Sequence, residues 1–115
     1  MIYDLFYVNN ILESIKLIED YTRKISFQGF VKSKITKDAV CKRLEEIGEN
    51  AKKISNKIKD KSKEIKWEEF IENRNFLTHV YQLVNNKRLW IIIKEDLPVL
   101  KKNILKIKKE LKNTK

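Results

Sequence analysis

Chain breakers are almost missing from this sequence: its 115 residues contain two glycines and one proline. Folds built on many tight turns need far more of both, which excludes β-sandwiches, β-barrels and glycine-rich phosphate loops. A length of 115 residues suits one domain, and a 42% hydrophobic content is enough to pack it. The expected fold is all-α: an antiparallel bundle of four to five helices forming a single domain over residues 1–115. The lysine-rich end is expected to fray from about residue 108.

Hydrophobic spacing marks four helical segments. The first runs from about Tyr3 to Ile25, with Leu5, Val8, Leu12 and Ile15 on one stripe and Ile11 and Ile18 widening it. Ser26 to Phe30 breaks the period and reads as a connection. Thr36 is the expected N-cap of the second helix, with Asp38 in its first turn. That helix carries Val40, Leu44, Ile47, Ala51, Ile54 and Ile58 as a continuous seam. Residues 59–66 read as the next connection. A third helix is expected from about Trp67 to Val84, ended by Asn85-Asn86, and a fourth from near Lys87. Pro98 should kink or restart the fourth, with Asp96 as its cap.

Twenty-six basic residues outweigh 16 acidic ones, a formal net charge of +10. The excess is concentrated. Residues 51–66 hold seven lysines against Asp60 and Glu64, and residues 101–115 hold seven against Glu110. Such runs are either solvated helix faces or a surface for RNA, and charge alone leaves both open. The lone Cys41 cannot form an internal disulfide, which suits a reducing cytoplasm. The first residues lack a basic leader, and no apolar run approaches the ~20 residues that span a bilayer. A cytoplasmic protein with no membrane association is expected.

The third helix holds the chemistry. On a helical wheel Arg74 falls inside an apolar arc, between Phe70, Leu77, Tyr81 and Val84 on one side and Trp67 and Ile71 on the other. A charge there is costly unless paired. Asn75, Thr78, His79 and Gln82 share the polar arc. Arg74 and His79 are five residues apart, so a straight helix separates them by roughly 140°. They reach one phosphate only if the helix deforms, if the phosphate lies along the boundary of the two faces, or if a symmetric dimer brings a second copy across a cleft. A guanidinium fork suits phosphate, and imidazole exchanges protons near neutrality. Together they suit phosphodiester cleavage without a metal. A lone histidine on a helix is nevertheless most often an ordinary surface side chain.

The segment Arg74-Asn75-Phe76-Leu77-Thr78-His79-Val80-Tyr81 resembles the R-x(4)-H-x-Y motif of HEPN ribonuclease toxins of the HepT type. Arg43-Leu44-Glu45-Glu46-Ile47-Gly48-Glu49 is similar to the family's R-x(3)-iGE stretch, and Trp67 precedes the motif helix as in relatives. Leu89-Trp90-Ile91-Ile92 followed by Asp96-Leu97-Pro98-Val99-Leu100 resembles the family's ending. The likeness runs from the first helix to about Ile107. Asn73 and Asn85 depart from it, standing where a small and an acidic residue are common.

This resemblance implies a homodimer through the motif helix and a metal-independent RNase with no cofactor of its own. Arg74 and His79 match the catalytic pair, while Asn75 and Thr78 are candidates for supporting or substrate-binding roles. It further implies a type VII toxin–antitoxin system. The partner is a minimal nucleotidyltransferase antitoxin (MntA) that uses ATP to place AMP on the motif tyrosine, here Tyr81. Arg43 and Glu49 fit structural pairing. The alternative is a non-catalytic HEPN-like helical module that binds a partner or a nucleotide.

Overall fold

Serine hydroxyls set three of the helix starts. In the computed structural model, which describes residues 3–72 and 85–113, α1 spans Asp4–Thr22, α2 Phe27–Lys32, α3 Lys34–Lys53 and α4 Asn56–Lys61. The Oγ atoms of Ser26, Ser33 and Ser55 accept from the backbone N–H three residues on, at Gly29, Thr36 and Ile58. Each satisfies one of the donors that a helix start leaves without a partner. Residues 67–72 are helical and are called α5. Then α6 spans Asn86–Ile91, and a π-helical turn over Ile92–Asp96 leads into α7, Leu97–Asn113. The described residues contain helices and no strand, as the scarcity of chain breakers required.

Helix α1 lies at the centre. Val8, Ile11, Ile15 and Ile18 have no exposed surface, so the buried stripe is centred on Ile11 and Ile18 while Leu5 and Leu12 flank it half-buried. Burial of each such side chain contributes about 1.5–3 kcal/mol before entropy costs. α3 covers one side with Val40, Leu44, Ile47 and Ala51, and α7 covers another with Leu97, Leu100, Ile104 and Ile107. The packing is antiparallel on both sides. Asp4 meets Ser55 and Asn10 meets Asn50, while Glu19 meets Lys101 near the start of α7.

Four local expectations change. The segment expected to be a connection contains α2, which exists to bury Phe30 completely. The cap of α3 is Ser33 and not Thr36. Ser33 is extended (φ −102°, ψ 96°), and Thr36 takes the third helical position, donating its N–H at 3.2 Å. The seam from Val40 to Ile58 is interrupted rather than continuous. Ser55 gives its N–H to the Asp4 carboxylate at 2.9 Å and its hydroxyl to the same group at 2.7 Å. That N–H is withdrawn from the helical ladder, so Ile54 turns extended yet stays buried, and α4 occupies part of the expected 59–66 connection. At Pro98 the expected restart takes an unexpected form, with α7 beginning at Leu97 directly after the π turn. The Leu97 N–H reaches back five residues to the Ile92 carbonyl, and this wider turn carries the chain past a residue that cannot donate. Asp96 closes the π turn and caps nothing.

Cys41 is buried in α3, and burial pushes its thiol from an ordinary 9.0 to about 11, with the Asp38 carboxylate adding to the shift and Lys37 opposing it. Near pH 8 the thiolate fraction is then about a hundredfold below that of an exposed cysteine. Native protein should react with a disulfide-exchange reagent at least about a hundredfold more slowly than protein unfolded in urea. Equal rates would show the thiol to be accessible. Among the described residues no helix is long and apolar enough to cross a membrane.

Candidate functional site

Arg74, Asn75, Thr78, His79 and Tyr81 lie outside the described residues, as does the rest of the expected third helix beyond residue 72. The structure describes the two flanks of the motif.

The upstream flank is fixed by contacts between consecutive short elements. The Trp67 ring is buried at the start of α5, and its Nε1 donates to the Ser62 carbonyl at 3.1 Å. Lys59 Nζ donates to the Lys52 carbonyl at 3.3 Å, at the C-terminal end of α3, and sits 6.0 Å from the Trp67 ring centroid. Burial lowers the Lys59 pKa, and the Glu68 and Asp4 carboxylates partly restore it. A half-buried ammonium held over an indole and against the Lys52 carbonyl ties α3, α4 and the start of α5 together. One turn later Phe70 and Ile71 pack against the core, while Glu68, Glu69 and Glu72 face solvent.

On the downstream flank, Asn85 is the cap of α6. Its Oδ1 accepts from the N–H groups of Lys87 at 2.7 Å and Arg88 at 3.3 Å, so α6 starts at Asn86, one residue before the expected Lys87. Leu89 is buried. The Trp90 ring packs on Phe27 and Phe30, with centroids 5.9 and 5.3 Å away, and Lys94 Nζ lies 4.8 Å from its centroid. Tilted ring pairs of this spacing add to simple burial. The chain on either side of the motif is thus bolted to the core by one tryptophan each.

A cavity of about 210 Å³ opens where α5 starts. Glu64, Glu69 and Phe70 line it from one side, and Asp96, Val99 and Asn103 from the other. Asp96, expected as a helix cap, instead contributes a carboxylate to this wall. Arg43 and Glu49 are half-buried on α3. Asp4, Ser55 and Lys59 were not among the expected functional residues. Each is ordinary in its local sequence, and the role appears only when residues about fifty apart are brought together.

The family profile described as "Ribonuclease HepT-like" matches residues 11–107. A Thermococcus cleftensis protein named "Probable ribonuclease HepT" is 43% identical over 103 residues, covering 90% of this chain and 94% of the relative. A Methanocaldococcus jannaschii protein named "Gamma-glutamylcyclotransferase and putative RNase" is also 43% identical, over 109 residues. There the match takes in 95% of this chain but 49% of the relative, so the chain spans about half of that protein's length. A second M. jannaschii protein, named "Putative RNase", is 35% identical over 85% of this chain and 90% of its own length. No solved structure matches. With a profile that takes in α2, α3, α4 and α6 whole, most of α1 and α7, and the motif between, the chain belongs to the HepT-like ribonuclease family.

Proposed function

We propose that the chain is a cytoplasmic toxin that cleaves RNA without a metal or other cofactor, using Arg74 and His79. The observation that carries this is the ordered set Arg74, His79 and Tyr81 inside a family match covering residues 11–107. His79 exchanges a proton with the attacking or leaving oxygen, and Arg74 holds the phosphoryl oxygens as charge builds on them. Asn75 and Thr78, on the polar arc beside His79, orient the imidazole or hold the substrate. A straight helix sets Arg74 and His79 roughly 140° apart, which favours a homodimer whose second motif helix completes the cleft. Purified protein should cut single-stranded RNA in the presence of EDTA. RNA left intact under those conditions at any protein concentration would overturn the reading.

Regulation belongs to the same proposal. A cognate nucleotidyltransferase antitoxin transfers AMP from ATP to the Tyr81 hydroxyl and releases pyrophosphate. The added phosphate is anionic and on a continuous helix would stand about two turns from Arg74, where it competes with RNA for the guanidinium. Incubation with the antitoxin and ATP should raise the intact mass by one or more AMP groups and abolish RNA cleavage. Tyr81→Phe should gain no mass and keep cleaving. A mass gain on Tyr81→Phe equal to that of wild type would assign the modification elsewhere.

A further inference from the structure

The outward face of α7 carries lysines with little acid beside them. Six lysines stand on this helix against one acidic residue, Glu110. On the first half of α3 two lysines are paired with acids on the same helix: Lys34 lies 3.6 Å from Asp38, and Lys42 reaches Glu45 at 3.9 Å and Glu46 at 3.6 Å. That is how a surface built for solubility and heat tolerance distributes its charge. On α7 only Lys101 has an acidic partner among the described residues. Its Nζ is held 3.1 Å from both Glu19 oxygens, which docks the helix on α1. Lys102, Lys106 and Lys109 are exposed and have no acidic partner among the described residues.

These three lysines fall within an arc of roughly 60° on the helix, and Glu110 lies roughly 40° beyond its far edge. Pro98 and Leu105 adjoin the arc, and with the lysines they line one shallow groove. Leu105 keeps 47% of its surface exposed. The face thus alternates ammonium groups with an apolar floor. From Lys102 to Lys109 the ridge advances about 10 Å, the reach of about three successive phosphates of one strand. Ammonium groups suit phosphates, and an apolar floor suits the ribose and base edges between them.

We propose that the Lys102/Lys106/Lys109 ridge of α7 is a docking surface for the sugar–phosphate backbone of single-stranded RNA. This rests on the reading of the protein as an RNase, for which the ridge would hold substrate outside the motif cleft. The occupant is RNA and not an acidic protein because the cations follow one helical line with the apolar Pro98 and Leu105 alongside it. Backbone contacts of this kind confer affinity without sequence preference.

The test compares two charge-matched triple variants, Lys102→Gln/Lys106→Gln/Lys109→Gln and Lys57→Gln/Lys61→Gln/Lys63→Gln. The second set is exposed on and just after α4, among Asp60 and Glu64. Binding of a fluorescein-labelled oligouridylate is followed by anisotropy over a salt series, with His79→Ala added so that the RNA stays whole. The α7 variant should bind about ten- to a hundredfold more weakly, and the slope of log affinity against log salt should fall by about 2. The α4 variant should change little, and arginine at the three α7 positions should restore binding. Equal losses in both glutamine variants would reduce the effect to net charge and overturn the site. RNA binding unchanged in the α7 variant, with its helical circular dichroism intact, would also overturn it and leave the ridge to an acidic partner. The two readings fail separately. If wild type leaves RNA intact but binds it through the α7 lysines, the RNase reading falls and the surface stands. If wild type and the α7 variant cleave a long RNA at equal kcat/KM, the surface falls and the RNase reading stands.

Discussion

His79→Ala should slow cleavage of single-stranded RNA by about a thousandfold, and Arg74→Ala by about a hundred- to a thousandfold. The two losses have different signatures. Removing the imidazole removes proton transfer in the transition state, so kcat should fall while the RNA affinity stays close to wild type. Removing the guanidinium strips charge from the phosphate site, so KM should rise as kcat falls. Single-turnover cleavage with protein in excess separates the two. The double variant should be little slower than the worse single variant, because groups that act on one phosphate do not contribute additively. Mixing the two single variants provides a further check. In a dimer with composite clefts, heterodimers would carry one intact Arg74/His79 pair, and part of the lost activity should return. Cleavage within threefold of wild type (~0.5 logarithmic units) by both single variants would remove these residues from the chemistry. No return of activity on mixing, with dimer exchange demonstrated, would place each pair within one protomer.

The long elements were legible in the sequence because their physics is local and repeated. α1, α3 and α7 each bury aliphatic side chains at helical spacing over 17 to 20 residues, and a period needs that length to emerge. α2 and α4 have six residues each, less than two turns, and no period can be read from them. The end of α3 was illegible for a different reason. Ala51, Ile54 and Ile58 keep perfect helical spacing, and the break between them is imposed by Asp4, 51 residues away from Ser55. The π turn was half legible: Pro98 announced a disturbance in the ladder, but whether a helix kinks, restarts or widens depends on what Ile92 and Leu97 must bury. For the candidate site the balance is reversed. Arg74 inside an apolar arc and its spacing to His79 stood out in the sequence. Their supports were less legible, because Lys59 and Trp67 act between consecutive short elements and Trp90 acts on Phe27 and Phe30 across the fold.

Phe30→Ala should destabilise the protein by about 3–5 kcal/mol, a large part of the 5–15 kcal/mol that holds a domain together. Phe30 has no exposed surface and closes the core from a helix of one and a half turns. Its ring is also the platform for Trp90, at 5.3 Å. Truncation leaves a cavity that neighbours fill only in part, and it removes one aromatic contact as well. Urea unfolding at fixed protein concentration, followed by far-UV circular dichroism, should show a lower midpoint with an unchanged slope. Phe30→Leu fills most of the space and should lose much less, about 1–2 kcal/mol. A loss below about 1 kcal/mol for the alanine variant would mean that α2 is peripheral, as its irregular sequence first suggested. The pair of variants also locates function. Phe30→Leu should cleave RNA at the wild-type rate at temperatures where it is fully folded, since Phe30 has no part in the proposed chemistry. If Phe30→Leu were folded and inactive, the Trp90 platform would control the motif that precedes it, and α2 would have to be counted as part of the site.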